Sequence, residues 1–147
     1  MLYTPHFLTG AAIANLVPNP VIGLPLALVS HLVLDVIPHT DFDLRPGVTI
    51  KEMFSYPLQR KMLIFGTMGI DALLMLACAL WILFSHQHFW YLLAGGFFGI
   101  LPDLAEQLLM LVGKPLPGFQ NQWQYRVRMR YGFISYPIVC LIALAFL

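Results

Sequence analysis

The chain has 147 residues, of which 59% are hydrophobic and only 10% are charged, and its formal net charge is +1 at pH 7. Soluble domains carry about 25% charged residues, so this composition excludes an ordinary soluble domain and predicts an integral membrane protein. The length is that of a single domain, residues 1–147. No basic stretch is typical of a nucleic-acid-binding surface, so no nucleic-acid partner is predicted.

The first elements are predicted to form a helical hairpin. Thr4 and Pro5 are typical of a helix start. The apolar run 6–17 is shorter than the roughly 20 residues that a bilayer crossing needs. Two prolines flanking Asn19 interrupt the run, and residues 21–37 form a second predicted helix. We therefore expect a tight hairpin whose first arm is short or partly re-entrant; one kinked span is the less favoured alternative.

Three further apolar segments predict three transmembrane helices, and the predicted fold class is all-α; the segments are 61–84, 89–112 and 131–147. All eight Lys and Arg residues lie in, or at the edge of, the two loops 38–61 and 113–130. The positive-inside rule places such loops in the cytoplasm. The prediction is a multi-pass protein of the cell inner (plasma) membrane, in contact with the lipid bilayer.

Polar side chains are concentrated around the end of the second predicted helix. His31 and Asp35 are four residues apart and share one face of that helix. Pro38 ends the helix and leaves His39 and Asp41 just past it. An ionisable group at bilayer depth costs about 2.5–3.5 kcal/mol, and no Lys or Arg lies inside a predicted span to neutralise these groups. A metal cation is the economical counter-charge, and protonated carboxyl groups are the alternative.

Six residues from four segments are candidate metal ligands, because a rise of about 1.5 Å per residue puts them all near the cytoplasmic face; they are His6, His31, Asp35, His39, Asp71 and Asp103. Asp41 is a candidate ligand or general base. Imidazole and carboxylate ligands without cysteine favour zinc, with manganese or iron as alternatives. The number of ligands fits one to three divalent ions. Each residue also has an ordinary interpretation as a hydrogen-bonded interior group, a helix cap or a turn former.

Four features of the sequence carry a resemblance to a known family. They are the start at His6, the motif His31-x3-Asp35-x2-Pro38-His39-x-Asp41, Asp71 within a helix, and the step Leu101-Pro102-Asp103. Over about residues 6–105 the chain resembles small bacterial and archaeal inner-membrane proteins described as membrane-bound metal-dependent hydrolases. The resemblance implies metal-dependent hydrolysis of a phosphoester or another lipid-like substrate.

Two other functions fit the same residues. Carboxylates inside spans also suit a metal- or proton-coupled transporter or a metal-binding membrane protein without catalysis. A transporter of this size would need to form a homo-oligomer. In a structural or assembly protein, the polar residues would only hold helices together.

Three arginines alternate with apolar or aromatic residues near the end of the second basic loop, at positions 126, 128 and 130. We expect an interfacial strip in which the aromatic residues lie at headgroup depth and the arginines contact anionic lipid. The alternative is that these arginines hold a substrate phosphate.

Overall fold

The computed structural model of the protein describes residues 2–40, 42, 48, 50–112, 125–127 and 129–147. These residues form α-helices and no β-strand, so the predicted all-α class is confirmed. The helices, in chain order, are α1 (Tyr3–Leu16), α2 (Pro20–Asp35), α3 (Ile50–Phe54), α4 (Leu58–Ser85), α5 (Phe89–Leu111), α6 (Met129–Gly132) and α7 (Ser135–Leu144).

Helices α1 and α2 form the predicted N-terminal hairpin and pack against each other. The side chain of Asn19 accepts a hydrogen bond from the backbone N–H of Val21 at 3.0 Å and so caps α2. Pro20 occupies the first helical position, where its missing N–H leaves nothing unpaired. The hydroxyl of Tyr91 donates to the carbonyl of Val17 at 2.6 Å, which attaches the hairpin turn to α5.

Helix α1 has 14 residues, so the predicted first arm is short, and it lies at the centre of the fold. It packs against α2, α4, α5 and α7. Phe7, Leu8 and Ala11 are buried in a core cluster that includes Ile82 of α4 and Ile100 of α5. A helix that is apolar on all sides is stable when it is surrounded by protein. Helix α1 is therefore the element around which the longer helices assemble.

Glycines let α1 and α5 approach each other closely. A Cβ atom added to Gly10 would collide with the carbonyl of Gly95, and one added to Gly99 would collide with the carbonyl of His6. Small residues at helix contacts are the usual way in which membrane helices bring their backbones together. The consequence for the site is that the first turn of α1 lies directly against α5.

Two helices are long and apolar enough to cross a membrane, Leu58–Ser85 and the Phe89–Leu109 part of α5. They correspond to the predicted spans 61–84 and 89–112. The predicted third span, 131–147, does not form one long helix. The longest helix in this range is α7, which has 10 residues. Gly132 packs against the backbone of Thr40 at this point, and a new helix begins at Ser135. The predicted loop 38–60 also contains the short helix α3, whose Met53 packs with Ile64 of α4.

Candidate metal centre

Three helices carry acidic and imidazole side chains to one buried place. His6 lies in the first turn of α1, His31 and Asp35 lie in the last turns of α2, and Asp103 follows Pro102 within α5. The side chains of His6 and His31 are 0% exposed, that of Asp35 is 1% exposed, and that of Asp103 is 13% exposed. Burying so many ionisable groups is costly unless each has a partner of opposite charge or a metal ion.

The distances between the polar atoms fit a shared ion. Nε2 of His6 is 3.3 Å from Oδ1 of Asp35, and Nε2 of His31 is 3.4 Å from Oδ2 of Asp35. An N–H···O hydrogen bond has a most common length of about 2.9–3.0 Å. Around a tetrahedral zinc ion with bonds of about 2.0–2.1 Å, neighbouring ligand atoms are about 3.3–3.4 Å apart. The group His6, His31 and Asp35, whose ligand atoms all lie within 4.8 Å of one another, could therefore hold a metal ion.

Asp103 supplies a further carboxylate to this group. Its Oδ1 atom is 3.4 Å from Nε2 of His31, and its Oδ2 atom is 4.0 Å from Nε2 of His6. Asp103 thus faces the same two imidazoles as Asp35, but from α5. His6, His31, Asp35 and Asp103 thus come together from three separate segments.

The ring of His31 is oriented as a metal-binding histidine would be. Its Nδ1–H donates to the carbonyl of Gly99 at 2.9 Å. Because a carbonyl oxygen can only accept, the neutral ring carries its proton on Nδ1 and presents the lone pair of Nε2 to Asp35 and Asp103. A lone pair that faces two carboxylates is stabilised by a cation between them. Metal-binding histidines commonly donate their other N–H to a backbone carbonyl in this way.

His6 has a buried ring whose nitrogens are not satisfied within the part of the chain that the structure describes. Neither Nδ1 nor Nε2 makes a hydrogen bond there. The ring stacks on that of His31 with 4.0 Å between centroids and an interplanar angle of 24°. Buried polar atoms normally have a hydrogen-bond partner. Coordination of an ion by Nε2 would satisfy one of the two nitrogens.

His39 lies at the edge of this group. Its Nδ1–H donates to the carbonyl of Ile37 at 2.8 Å, and its Nε2 atom is 4.0 Å from Oδ1 of Asp35. The side chain is fully buried. The structure therefore brings His39 close to the candidate ligands, with its Nε2 directed toward Asp35. Asp41, the predicted ligand or general base, lies outside the described residues.

Asp71, a predicted ligand, is placed differently. Its carboxylate accepts hydrogen bonds from the backbone N–H groups of Tyr3 at 2.7 Å and of Thr4 at 3.2 Å. The hydroxyl of Thr4 also donates to the backbone carbonyl of Asp71 at 3.0 Å. A carboxylate at the start of a helix satisfies N–H groups that have no partner within the helix. The structure does not bring Asp71 into the His6–His31–Asp35 group. Asp71 instead binds the N-terminus of α1, the helix that carries His6.

The backbone of the segment 125–127 pairs with residues beside the site, and this pairing was not predicted from the sequence. The backbone N–H of Tyr125 donates to the carbonyl of Asp35 at 3.0 Å, and that of His39 donates to the carbonyl of Tyr125 at 3.2 Å. The N–H of Val127 donates to the carbonyl of His39 at 2.8 Å, so His39 and Arg126 form an isolated parallel bridge. Nothing in the sequence pairs these positions. Gly99 was also missed, although the spacing Gly95-x3-Gly99 is a recognisable signal of close helix packing.

Comparison of the chain with models of known protein families, with curated proteins and with solved structures found no match. The chemistry of the centre is therefore interpreted from its own side chains. Two imidazoles and two carboxylates are a donor set that divalent zinc, manganese and iron all accept.

Proposed function

We propose that this protein is a membrane-bound hydrolase that depends on a divalent metal, with zinc first among the candidates and manganese or iron as alternatives. The observation that carries the proposal is the spacing of His6, His31 and Asp35, whose facing atoms are 3.3–3.4 Å apart in a buried site. The hydrogen bond from His31 to Gly99 supports it, since it fixes the ring in the form that binds metal.

The residues have distinct roles in this proposal. His6, His31 and Asp35 would hold the ion, and Asp103 would complete the set. A bound divalent metal activates water and stabilises the leaving oxygen in the cleavage of a phosphoester. Asp103 is the most exposed of the four side chains, so substrate and water would reach the centre from its side. Asp41 stays the predicted general base.

The proposal places the protein in the cell inner (plasma) membrane with the centre open to the cytoplasm. Helices α4 and α5 supply two crossings, and α7 with the residues around it would supply the predicted third. Helix α2 ends at the centre and leads directly into the basic loop 38–61, which the positive-inside rule assigns to the cytoplasm. Numerous large apolar side chains of α4 are exposed, which suits contact with lipid tails.

Elemental analysis of the purified protein tests the metal site. We expect about one equivalent of zinc, or of another divalent metal, in the detergent-solubilised wild-type protein, and its loss in both His31→Ala and Asp35→Ala. His88→Ala is the matched control, because His88 is exposed beyond the end of α4. A folded wild-type protein that neither contains nor takes up metal would contradict the proposal.

Hydrolysis of a panel of phosphomonoesters and phosphodiesters by the metal-loaded protein tests the reaction itself. We expect activity that the chelated protein and Asp103→Asn lack. Metal binding without turnover of any member of the panel would favour a non-catalytic metal-binding protein. A metal- or proton-coupled transporter has less support, since one of the two carboxylates that suggested it, Asp71, is bonded to the backbone of α1.

A further inference from the structure

Helices α1 and α5 run antiparallel, in a register that their glycines define. Gly10 lies against Gly95, and the backbone carbonyl of His6 lies against Gly99. A step backward along α1 therefore corresponds to a step forward along α5. Gly95 and Gly99 are four residues apart and so share the face of α5 that meets α1.

The same register brings Tyr3 opposite the turn of α5 that contains Asp103. Tyr3 is three residues before His6 and lies on the same face of α1. Asp103 is four residues after Gly99 and lies on the same face of α5. The side chain of Tyr3 packs against the core cluster, which contains residues of both helices. Tyr3 therefore lies one turn from one candidate ligand on its own helix and opposite another on α5.

The hydroxyl oxygen of Tyr3 is buried and makes no hydrogen bond within the part of the chain that the structure describes, whereas buried polar atoms normally have a partner. Burial raises the pKa of Tyr3, and the carboxylates of Asp103, Asp71 and Glu106 raise it further. Asp103 has the largest effect of these three charges, in agreement with the register of the helices. The phenol therefore keeps its proton at neutral pH and is a hydrogen-bond donor.

A donor at this position complements the candidate ligands. The nitrogen of His31 and the carboxylate oxygens of Asp35 and Asp103 that face one another are acceptors, which bind a cation but cannot donate to a substrate oxygen. Hydrolysis of an ester builds negative charge on oxygen, and a fixed donor directed at that charge stabilises the transition state. Asp103 is on the more exposed side of the centre, from which substrate would enter.

We propose that the Tyr3 hydroxyl donates a hydrogen bond to a negatively charged oxygen of the substrate at the candidate metal centre. The backbone N–H of Tyr3 is bonded to Asp71 at 2.7 Å, which fixes the residue at the start of α1. This inference rests on the proposed function and adds a substrate-binding residue to it.

Binding of inorganic phosphate to the metal-loaded full-length protein tests the inference. We expect calorimetry to find phosphate binding weakened about tenfold in Tyr3→Phe, a loss of about 1.4 kcal/mol, which is the size of one hydrogen bond. This substitution keeps the ring and the N–H that binds Asp71. Tyr91→Phe is the matched control, because that hydroxyl bonds to the carbonyl of Val17 in the hairpin turn. It should bind phosphate as the wild-type protein does.

Two further measurements separate substrate contact from a structural role. Removal of a buried hydroxyl that lacks a partner should not destabilise the protein. Metal-free Tyr3→Phe should therefore unfold at the wild-type temperature or above it, whereas Tyr91→Phe should unfold at a lower one. Metal content, and affinity for imidazole, which binds a metal through its lone pair and cannot accept a further hydrogen bond, should be unchanged in Tyr3→Phe. Lower stability, lower metal content or weaker imidazole binding in Tyr3→Phe would show a structural role and overturn the inference.

Failure of the inference and failure of the proposed function give different results. Unchanged phosphate affinity in metal-loaded Tyr3→Phe would overturn the inference and leave the proposed hydrolase intact. A metal-loaded wild-type protein that binds no phosphate would do the same. A wild-type protein that takes up no metal would overturn both.

Discussion

Asp35 connects the candidate metal centre to the rest of the protein with both its side chain and its backbone. Its two carboxylate oxygens face His6 and His31. It is also the last residue of α2, where backbone carbonyls have no partner within the helix. The N–H of Tyr125 satisfies the carbonyl of Asp35 at 3.0 Å. The side chain of Asp35 is therefore a candidate ligand, and its backbone carbonyl positions the segment 125–127.

At the residue scale, the structure predicts different effects of substituting Asp71 and Asp35: the first should lower stability and the second should prevent metal binding. Asp71→Ala should destabilise the metal-free protein by about 1–3 kcal/mol, because the N–H groups of Tyr3 and Thr4 lose their acceptor in a buried place. Asp35→Ala should abolish metal binding. The measurements are the thermal unfolding midpoint in detergent with and without metal, and the metal content after saturation.

Asp71→Asn provides the control, since it keeps one oxygen acceptor and should be destabilised less than Asp71→Ala. At saturating metal, we expect both Asp71 variants to contain as much metal as the wild-type protein. Loss of metal in Asp71→Ala without a change in the stability of the metal-free protein would instead show that Asp71 is a ligand.

At the scale of elements, the contact between α1 and α5 determines whether the ligands meet. Gly99 has two functions in this contact. Its lack of a side chain allows α5 to approach the backbone of His6, and its carbonyl accepts the hydrogen bond from His31. The position of His6 relative to His31 and Asp103 therefore depends on Gly99, a residue that is not itself a candidate metal ligand.

Gly99→Ala should disrupt this contact, because its Cβ would collide with the backbone carbonyl of His6, which cannot move aside as a flexible side chain would. We expect a destabilisation of about 1–3 kcal/mol and weaker metal binding. Gly66→Ala is the matched control: a Cβ there meets no atom within 4 Å, so the change should be neutral or stabilising by up to about 1 kcal/mol. Equal stability and metal affinity in the two variants would contradict this account.

The sequence predicts the hairpin and the two long helices because local signals mark them. Asn19 between two prolines ends one helix and caps the next, and the runs of α4 and α5 are long and apolar. The central position of α1 could not be predicted, since an all-apolar segment does not reveal which neighbours will surround it. The break before α7 coincides with a tertiary contact, that of Gly132 with Thr40.

The candidate site could be predicted only in part, because depth in the membrane fixes one coordinate of a side chain and leaves its rotation about the helix undetermined. The side chains of His6, His31, Asp35 and Asp103 point toward one another, with facing atoms 3.3–4.0 Å apart. Asp71 bonds instead to the end of α1. The pairing of Arg126 with His39 joins positions that are far apart in the chain and carry no complementary pattern.

At the scale of the whole molecule, the distribution of buried and exposed side chains suits a membrane environment. The polar centre and most of helix α1 are buried within the protein. Helix α4 exposes numerous large apolar side chains, including Leu73 and Phe84. In water such a surface would favour aggregation, whereas in a bilayer it contacts lipid tails. The arrangement therefore supports an orientation in which α4 crosses the membrane and the basic loop before it lies at the end that carries the centre.

Labelling of single cysteines tests this orientation. With Cys78→Ala and Cys140→Ala as background, Lys51→Cys and His88→Cys place one thiol before and one after α4, both at exposed positions. Helix α4 has 28 residues, about 42 Å at a rise of about 1.5 Å per residue, which exceeds the hydrocarbon core of about 30 Å. We expect an impermeant maleimide to label Lys51→Cys only in inverted vesicles and His88→Cys only in intact spheroplasts, with detergent exposing both. Labelling of both positions from one side would show that α4 does not cross the membrane, and the reverse pattern would place the candidate metal centre on the outer face.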